Sequence, residues 1–136
     1  MMPSFVLDTC AWIWISTGDK IITPGIQKTL QKSDWHIAAI SVWEVSKLQQ
    51  KDRLQLDRPL STWVHESLKQ HNIGLLPLSA ETSILSTRFK NSSTKDPADL
   101  MILATALHHH ATLVTADKKL ISYAHEIDVP VLILKS

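Results

Sequence analysis

The stretch that decides the fold runs from residue 96 to residue 117: Asp96-Pro97-Ala98-Asp99-Leu100-Met101-Ile102-Leu103-Ala104-Thr105-Ala106-Leu107-His108-His109-His110-Ala111-Thr112-Leu113-Val114-Thr115-Ala116-Asp117. Asp96 and Pro97 form a helix start, since Asp suits the N-cap and Pro the first helical position. Leu100 to Leu107 is almost wholly apolar, so the helix is expected to bury more than one face. Asp99 falls on its third residue, and steps of three and four lead from it to Ile102, Leu103 and Ala106. A carboxylate therefore heads a stripe that faces the core, where it needs a cation, a metal or donors. Beyond the three histidines, Thr112 to Val114 reads as a short buried strand with Asp117 just past its end.

The same alternation extends outward in both directions. Phe5 to Leu7 reads as a strand ending at Asp8, with Thr9 as the cap of the helix that follows. Thr17-Gly18-Asp19 marks a turn, and Thr23-Pro24 opens a second helix with Ile26 and Leu30 inward. His36 to Ile40 reads as a strand, and Ser41 to Lys51 as a helix that places Glu44 in its first turn. Leu54 to Pro59 is a loop or short pairing segment, and Leu60 to His71 is a helix. Ile73 to Leu76 is a third strand. Ser79 to Phe89 is a helix with Ile84 and Leu85 inward. Lys118 to His125 and Val129 to Leu134 complete the chain as a helix and a strand. Strand and helix alternate throughout, which predicts a three-layer α/β/α fold with a mainly parallel central sheet of about five short strands. With 136 residues and no linker, one domain over 1–136 is expected.

Composition excludes several function classes. The formal net charge of +1 announces no nucleic-acid or membrane surface by itself. No run approaches the ~20 apolar residues of a membrane span, no signal-peptide pattern opens the chain, and the single Cys10 fits a reducing compartment. A cytoplasmic protein is expected. Three glycines cannot build a Gly-rich phosphate loop. Cys10 reads as a small buried residue. His108, His109 and His110 suit a helix carboxyl end and have no acid or cysteine at ligand spacing. Of the five tryptophans, most read as core and some as the lining of an exposed partner groove.

Sites in open parallel sheets form outside the carboxyl ends of the strands. Asp8, Glu44, Asp99 and Asp117 all map to that edge. Four converging carboxylates repel one another unless a divalent cation lies among them, and hard oxygen ligands suit magnesium or manganese. Such an ion can activate water against a phosphodiester. Local readings compete: Ser41-x-x-Glu44 is also a capping box, while Asp96 and Asp117 can each cap the following helix. Lys47, Arg88, Lys90, Lys95, Lys118 and Lys119 are candidate RNA contacts near the same edge.

Four motifs together resemble the PIN-domain ribonucleases, in particular the VapC toxin branch of type II toxin–antitoxin pairs. They are Val-Leu-Asp-Thr-x-x-x-Ile-Trp at 6–14, Ser-x-x-Glu at 41–44, Asp-Pro-x-Asp-x-x-Ile-x-Ala-x-Ala at 96–106 and Leu-Val-Thr-x-Asp at 113–117. The resemblance implies that Asp8, Glu44 and Asp99 are the central metal-binding acids, completed by Asp117. It places Asp96 near the rim and gives Thr115 an orienting role. It further implies a magnesium- or manganese-dependent endoribonuclease that cuts RNA, often tRNA or rRNA. Such an enzyme would form a homodimer and be silenced by a VapB-like antitoxin. Leu100 departs from the arginine that many relatives carry there. Two other classes compete. A receiver-like signalling domain would need an acceptor Asp at the end of the third strand, where Leu75-Leu76-Pro77 stands. A non-catalytic PIN-fold interaction protein would not need its acids intact.

Overall fold

A computed structural model describes residues 3–135. Five parallel strands form one sheet in the order β3-β2-β1-β4-β5. The strands are β1 (Ser4–Leu7), β2 (Asp34–Ala38), β3 (Gly74–Leu76), β4 (Thr112–Thr115) and β5 (Val131–Ile133). The helices are α1 (Thr9–Thr17), α2 (Pro24–Gln31), α3 (Ala39–Gln50), α4 (Leu60–Gln70), α5 (Ala80–Ser86), α6 (Pro97–His108) and α7 (Lys118–Glu126). The expected α/β architecture is thus present, with every strand pair parallel.

Strand alternation sorts the side chains into two cores. Phe5 and Leu7 of β1, Trp35 and Ile37 of β2 and Val114 of β4 pack on one face, against Ala11, Trp12 and Ile15 of α1 and Trp63 and Val64 of α4. Val6, Ala38 and Leu113 face the other way, onto Ile102, Leu103 and Ala106 of α6 and Leu120, Tyr123 and Ala124 of α7. The period of two in the strands therefore builds both layers at once. The stripe expected below Asp99 is fully buried.

Several boundaries differ from the expectations. The second strand begins at Asp34 and ends at Ala38, so α3 starts two residues before Ser41. Pairing decides this: Leu7 lies opposite Ile37, and Ala38 opposite Leu76. An apolar run such as Ile37-Ala38-Ala39-Ile40 carries no local marker of where strand becomes helix. Ser41 is consequently inside the helix and buried, and Ser41-x-x-Glu44 is no capping box. Glu44 lies in the second turn of α3, not the first. At α1 the cap is Asp8, whose Oδ1 accepts the Ala11 N–H at 2.8 Å, while Thr9 is the first helical residue. The fifth helix ends at Ser86 rather than Phe89, and Ile84 faces outward at 57% exposure.

The histidine triplet closes a helix. His110 adopts φ 52°, the Ala111 N–H donates to Ala106 O at 2.9 Å, and the His110 N–H donates to Leu107 O at 3.2 Å. These are the paired bonds of a left-handed helix terminus. His110 sits where glycine is usual, and among the described residues no histidine joins an acid cluster.

Candidate active site

Parallel strands with returning helices bring one kind of terminus to one edge. A helix that directly follows a strand, as α1, α3 and α7 do, begins at that strand's carboxyl end. Asp8 follows β1 and opens α1; Asp117 lies two residues beyond β4 and opens α7. Asp96 caps α6 through the N–H groups of Ala98 and Asp99, which leaves Asp99 in the first turn. Glu44 arrives from α3, which packs against both α1 and α6.

Carboxylate oxygens of Glu44, Asp96 and Asp99 all lie within 4.8 Å of one another. Asp96, placed at the rim by the resemblance, is thus a member of the tightest acidic group. Asp8 lies outside this trio and is buried with both oxygens engaged. Its Oδ1 accepts from Ala11 N, and its Oδ2 accepts from the Thr115 hydroxyl at 2.5 Å. The same Thr115 oxygen accepts the Asp117 N–H at 3.0 Å. Thr115 therefore ties the ends of β1 and β4 together and aims Asp8. Asp117 is exposed, and its Oδ1 caps α7 through the Lys119 and Leu120 N–H groups. Both helix-cap readings of Asp96 and Asp117 hold alongside their position at the acidic edge.

Thr9 serves the site from the opposite side. Its hydroxyl reaches Glu44 Oε1 at 2.5 Å and Ser41 Oγ at 3.0 Å. A hydroxyl carries one proton, and the carboxylate is the stronger acceptor. Thr9 thus orients Glu44 across 35 residues of sequence. Sequence reasoning missed this role because Thr9 looked like a local cap; only the packing of α1 on α3 shows its partner.

Among the described residues, none of these acids forms an ion pair. The ion pairs there are those of Arg58 with Asp57 and Glu66. Burial pushes the Asp99 carboxyl up to about 7, with the charges of Asp96, Glu44, Asp117 and Asp8 adding to the effect. Burial also raises Glu44, joined by Asp96 and Asp8 and opposed by the Thr9 hydrogen bond. Asp8 is raised by burial and by Asp117, against the bonds from Thr115 and Ala11. A shared edge that resists ionisation in this way fits a hard divalent cation as the missing counter-charge.

Cys10 departs from its expectation as a buried residue. It is exposed as a whole, yet desolvation of the thiol and then the charges of Asp8, Glu44, Asp99 and Asp117 push it up to about 11. A thiol held protonated is a poor nucleophile, so the edge offers clustered carboxylates and no activated side-chain nucleophile.

The PIN domain family model matches residues 5–126. The chain belongs to the PIN-domain family. Ribonuclease VapC22 of Mycobacterium tuberculosis is 32% identical to it over 133 residues, which cover 96% of this PIN chain and 99% of the relative. Among solved structures, a toxin–antitoxin complex from Klebsiella pneumoniae contains a chain that superposes with a TM-score of 0.64 at 17% identity, covering 96% of this chain and 98% of that one. VapBC-1 from nontypeable Haemophilus influenzae gives a TM-score of 0.69 at 16% identity, covering 98% and 99%. At such identities these two likenesses establish a shared fold, and the residues of the PIN site must be judged from this chain's own geometry.

Of the candidate RNA contacts, Lys47 lines a cleft that also contains Glu44 and Asp96. Arg88, Lys90 and Lys95 are exposed in the loop between α5 and α6, and Lys118 and Lys119 lie in the first turn of α7 beside Asp117. Lys51 and Arg53 share the cleft with Lys47, and sequence reading did not count them among the RNA contacts. Three tryptophans, Trp12, Trp35 and Trp63, are core, Trp14 is half-buried, and Trp43 is 57% exposed. No helix among the described residues is long and apolar enough to cross a membrane.

Proposed function

We propose that this chain is a divalent-metal-dependent endoribonuclease, the toxin of a toxin–antitoxin pair, acting on tRNA or rRNA. One observation carries the reading. Glu44, Asp96 and Asp99 crowd their oxygens within 4.8 Å and none of them forms an ion pair among the described residues, while the related chain VapC22 bears the name ribonuclease. Asp8, Glu44, Asp99 and Asp117 would hold magnesium or manganese, with Asp96 at close range. A bound ion of this kind supplies a water activated near neutral pH and stabilises charge on a phosphodiester. The chain's own residues do the rest. Thr115 holds Asp8, Thr9 holds Glu44, and α6 fixes Asp99 against a rigid core before the ion arrives. Asp99, ionising near 7, must release its proton to serve as a ligand, so affinity for the ion rises with pH through that value. The toxin–antitoxin relative supports an antitoxin partner, and the reading takes residues 1–136 as one unit, a homodimer working in the cytoplasm.

The test is cleavage of total RNA by the purified chain in magnesium, in EDTA, and as Asp8→Asn. Cleavage is expected only for the wild type in magnesium. Because asparagine can keep the Ala11 bond, the variant should stay folded by circular dichroism. Equal cleavage in EDTA, or by folded Asp8→Asn, would sink the metal-site reading. A subtler change is Thr115→Val, which keeps every carboxylate but frees Asp8 to turn and removes the acceptor of the Asp117 N–H. Loss of such a supporting hydrogen bond typically lowers metal affinity or activity by about 10- to 100-fold. Calorimetric titration with manganese measures it, and unchanged affinity would mean that Thr115 is merely a core residue.

A further inference from the structure

The acidic edge opens into a cleft of about 380 Å³, within the range of roughly 300–1,000 Å³ typical of ligand clefts. Glu44 and Asp96 line it together with Trp43, Lys47, Lys51 and Arg53. Trp43, Lys47 and Lys51 are spaced by four residues, so they line one face of α3 and its carboxyl end. Trp43 and Lys47 also border a second depression, which makes them a ridge open on two sides. An indole left 57% exposed on a rigid helix beside catalytic carboxylates contributes nothing to the core. Trp43 is exposed where Trp12, Trp35 and Trp63 are buried, and it shares its cleft with Lys47, Lys51 and Arg53.

We propose that this cleft is a subsite for a single-stranded nucleotide of the RNA substrate, with the base stacked on Trp43 and the adjoining phosphates met by Lys47, Lys51 and Arg53. The inference rests on the ribonuclease reading and names how that enzyme grips unpaired RNA. Stacking on an aromatic is how unpaired bases are commonly held, since every base has a π-face and only unpaired ones can be splayed out. The phosphate backbone requires cations, and the cleft supplies three. The direction is also suitable: the cations lie outward along α3 from Glu44, so a strand bound there runs into the acidic edge. A protein segment would gain from Trp43 but would need acidic side chains to answer the same three cations.

The experiment compares binding of a labelled 12-mer of oligouridylate with that of a 12-mer of abasic ribose phosphate, which has the same charge and no bases. Both are measured by fluorescence anisotropy in the cleavage-deficient Asp8→Asn chain with magnesium present. Trp43→Ala and Trp43→Leu are each expected to weaken oligouridylate binding roughly 5- to 150-fold, the usual worth of one stacked base. Binding of the abasic oligomer should stay within twofold. Trp43→Phe, which keeps an aromatic face, should retain most of the affinity. Lys47→Gln and Lys51→Gln should weaken both oligomers equally, each lowering the slope of log affinity against log salt by about 0.7. The proposal is overturned if Trp43→Ala leaves oligouridylate binding unchanged, if it weakens both oligomers alike, or if it breaks only association with a protein partner. Failure of the ribonuclease reading would look different: the wild type would cleave no RNA in magnesium, whatever Trp43 does.

Discussion

Asp99→Asn is expected to lower magnesium-dependent RNA cleavage by more than about 100-fold and, at the same time, to make the metal-free protein more stable at pH 8. The first effect follows from removing a charged ligand, which should exceed the 10- to 100-fold typical of losing a group that only supports one. The second follows from the cost of the charge. In the folded chain without metal, burial and four neighbouring acids push Asp99 up to about 7 from an ordinary value of 3.8. Between those two values the folded state holds a proton that the unfolded chain has released. Stability therefore falls as pH rises through that window. Asp99 is only partly shielded from water, so the discounted effect is on the order of 1–2 kcal/mol, or a few degrees in melting temperature. Melting curves in EDTA should show the wild type losing stability from pH 5 to pH 8 and regaining it when magnesium is added. In Asp99→Asn the pH slope should flatten, with a remainder from Asp8 and Glu44, which are raised in the same direction. Full cleavage by the variant would overturn the ligand role. A metal-free melting temperature that is the same at pH 5 and pH 8 would overturn the electrostatic account.

Trp12→Ala should destabilise the fold by about 3–5 kcal/mol and lower its melting temperature by roughly 10–20 °C. Trp12 is completely buried, its ring lies 5.1 Å from that of Trp63 at 52°, and its Nε1 donates to Ser67 Oγ at 2.9 Å. Truncation leaves a large cavity between α1 and α4 and leaves Ser67 without its indole donor. Because a domain of this size is stable by only about 5–15 kcal/mol, much of the margin disappears. The consequence reaches the site, since the first turn of α1 positions Asp8 and Thr9. Trp43→Ala is the control. It removes the same side chain from the surface and should shift the melting temperature by only a degree or two. Thermal unfolding followed by circular dichroism measures both, and a shift below about 5 °C for Trp12→Ala would contradict the assigned packing.

Much of the candidate site was legible before any coordinates. Asp99 was identifiable because its helix has no polar face on which a carboxylate could be excused. Asp8 and Asp117 were identifiable because each follows an apolar strand, and parallel topology sends such positions to a common edge. Glu44 was identifiable because it closely follows the second strand, with a capping box as the competing reading; the structure removes the capping box and brings Glu44 to the edge from the second turn of a helix that starts earlier. The role of Asp96 was the harder reading. Its sequence position explains the cap completely, and a residue can cap with one oxygen while presenting its charge to a neighbouring helix.

What the sequence by itself determined was the order of elements, the two-sided core and which acids are candidates for one edge, because periodicity and helix-start chemistry are local properties. Only the tertiary structure decided which acids approach within 4.8 Å, that Thr9 orients Glu44 and Thr115 orients Asp8, and that Trp43 stands exposed beside three cations while Trp12 is buried. Those facts depend on how α1, α3 and α6 pack across tens of residues. A hydroxyl's partner or an indole's exposure is set by what the fold brings opposite it, and no window of neighbouring residues carries that information.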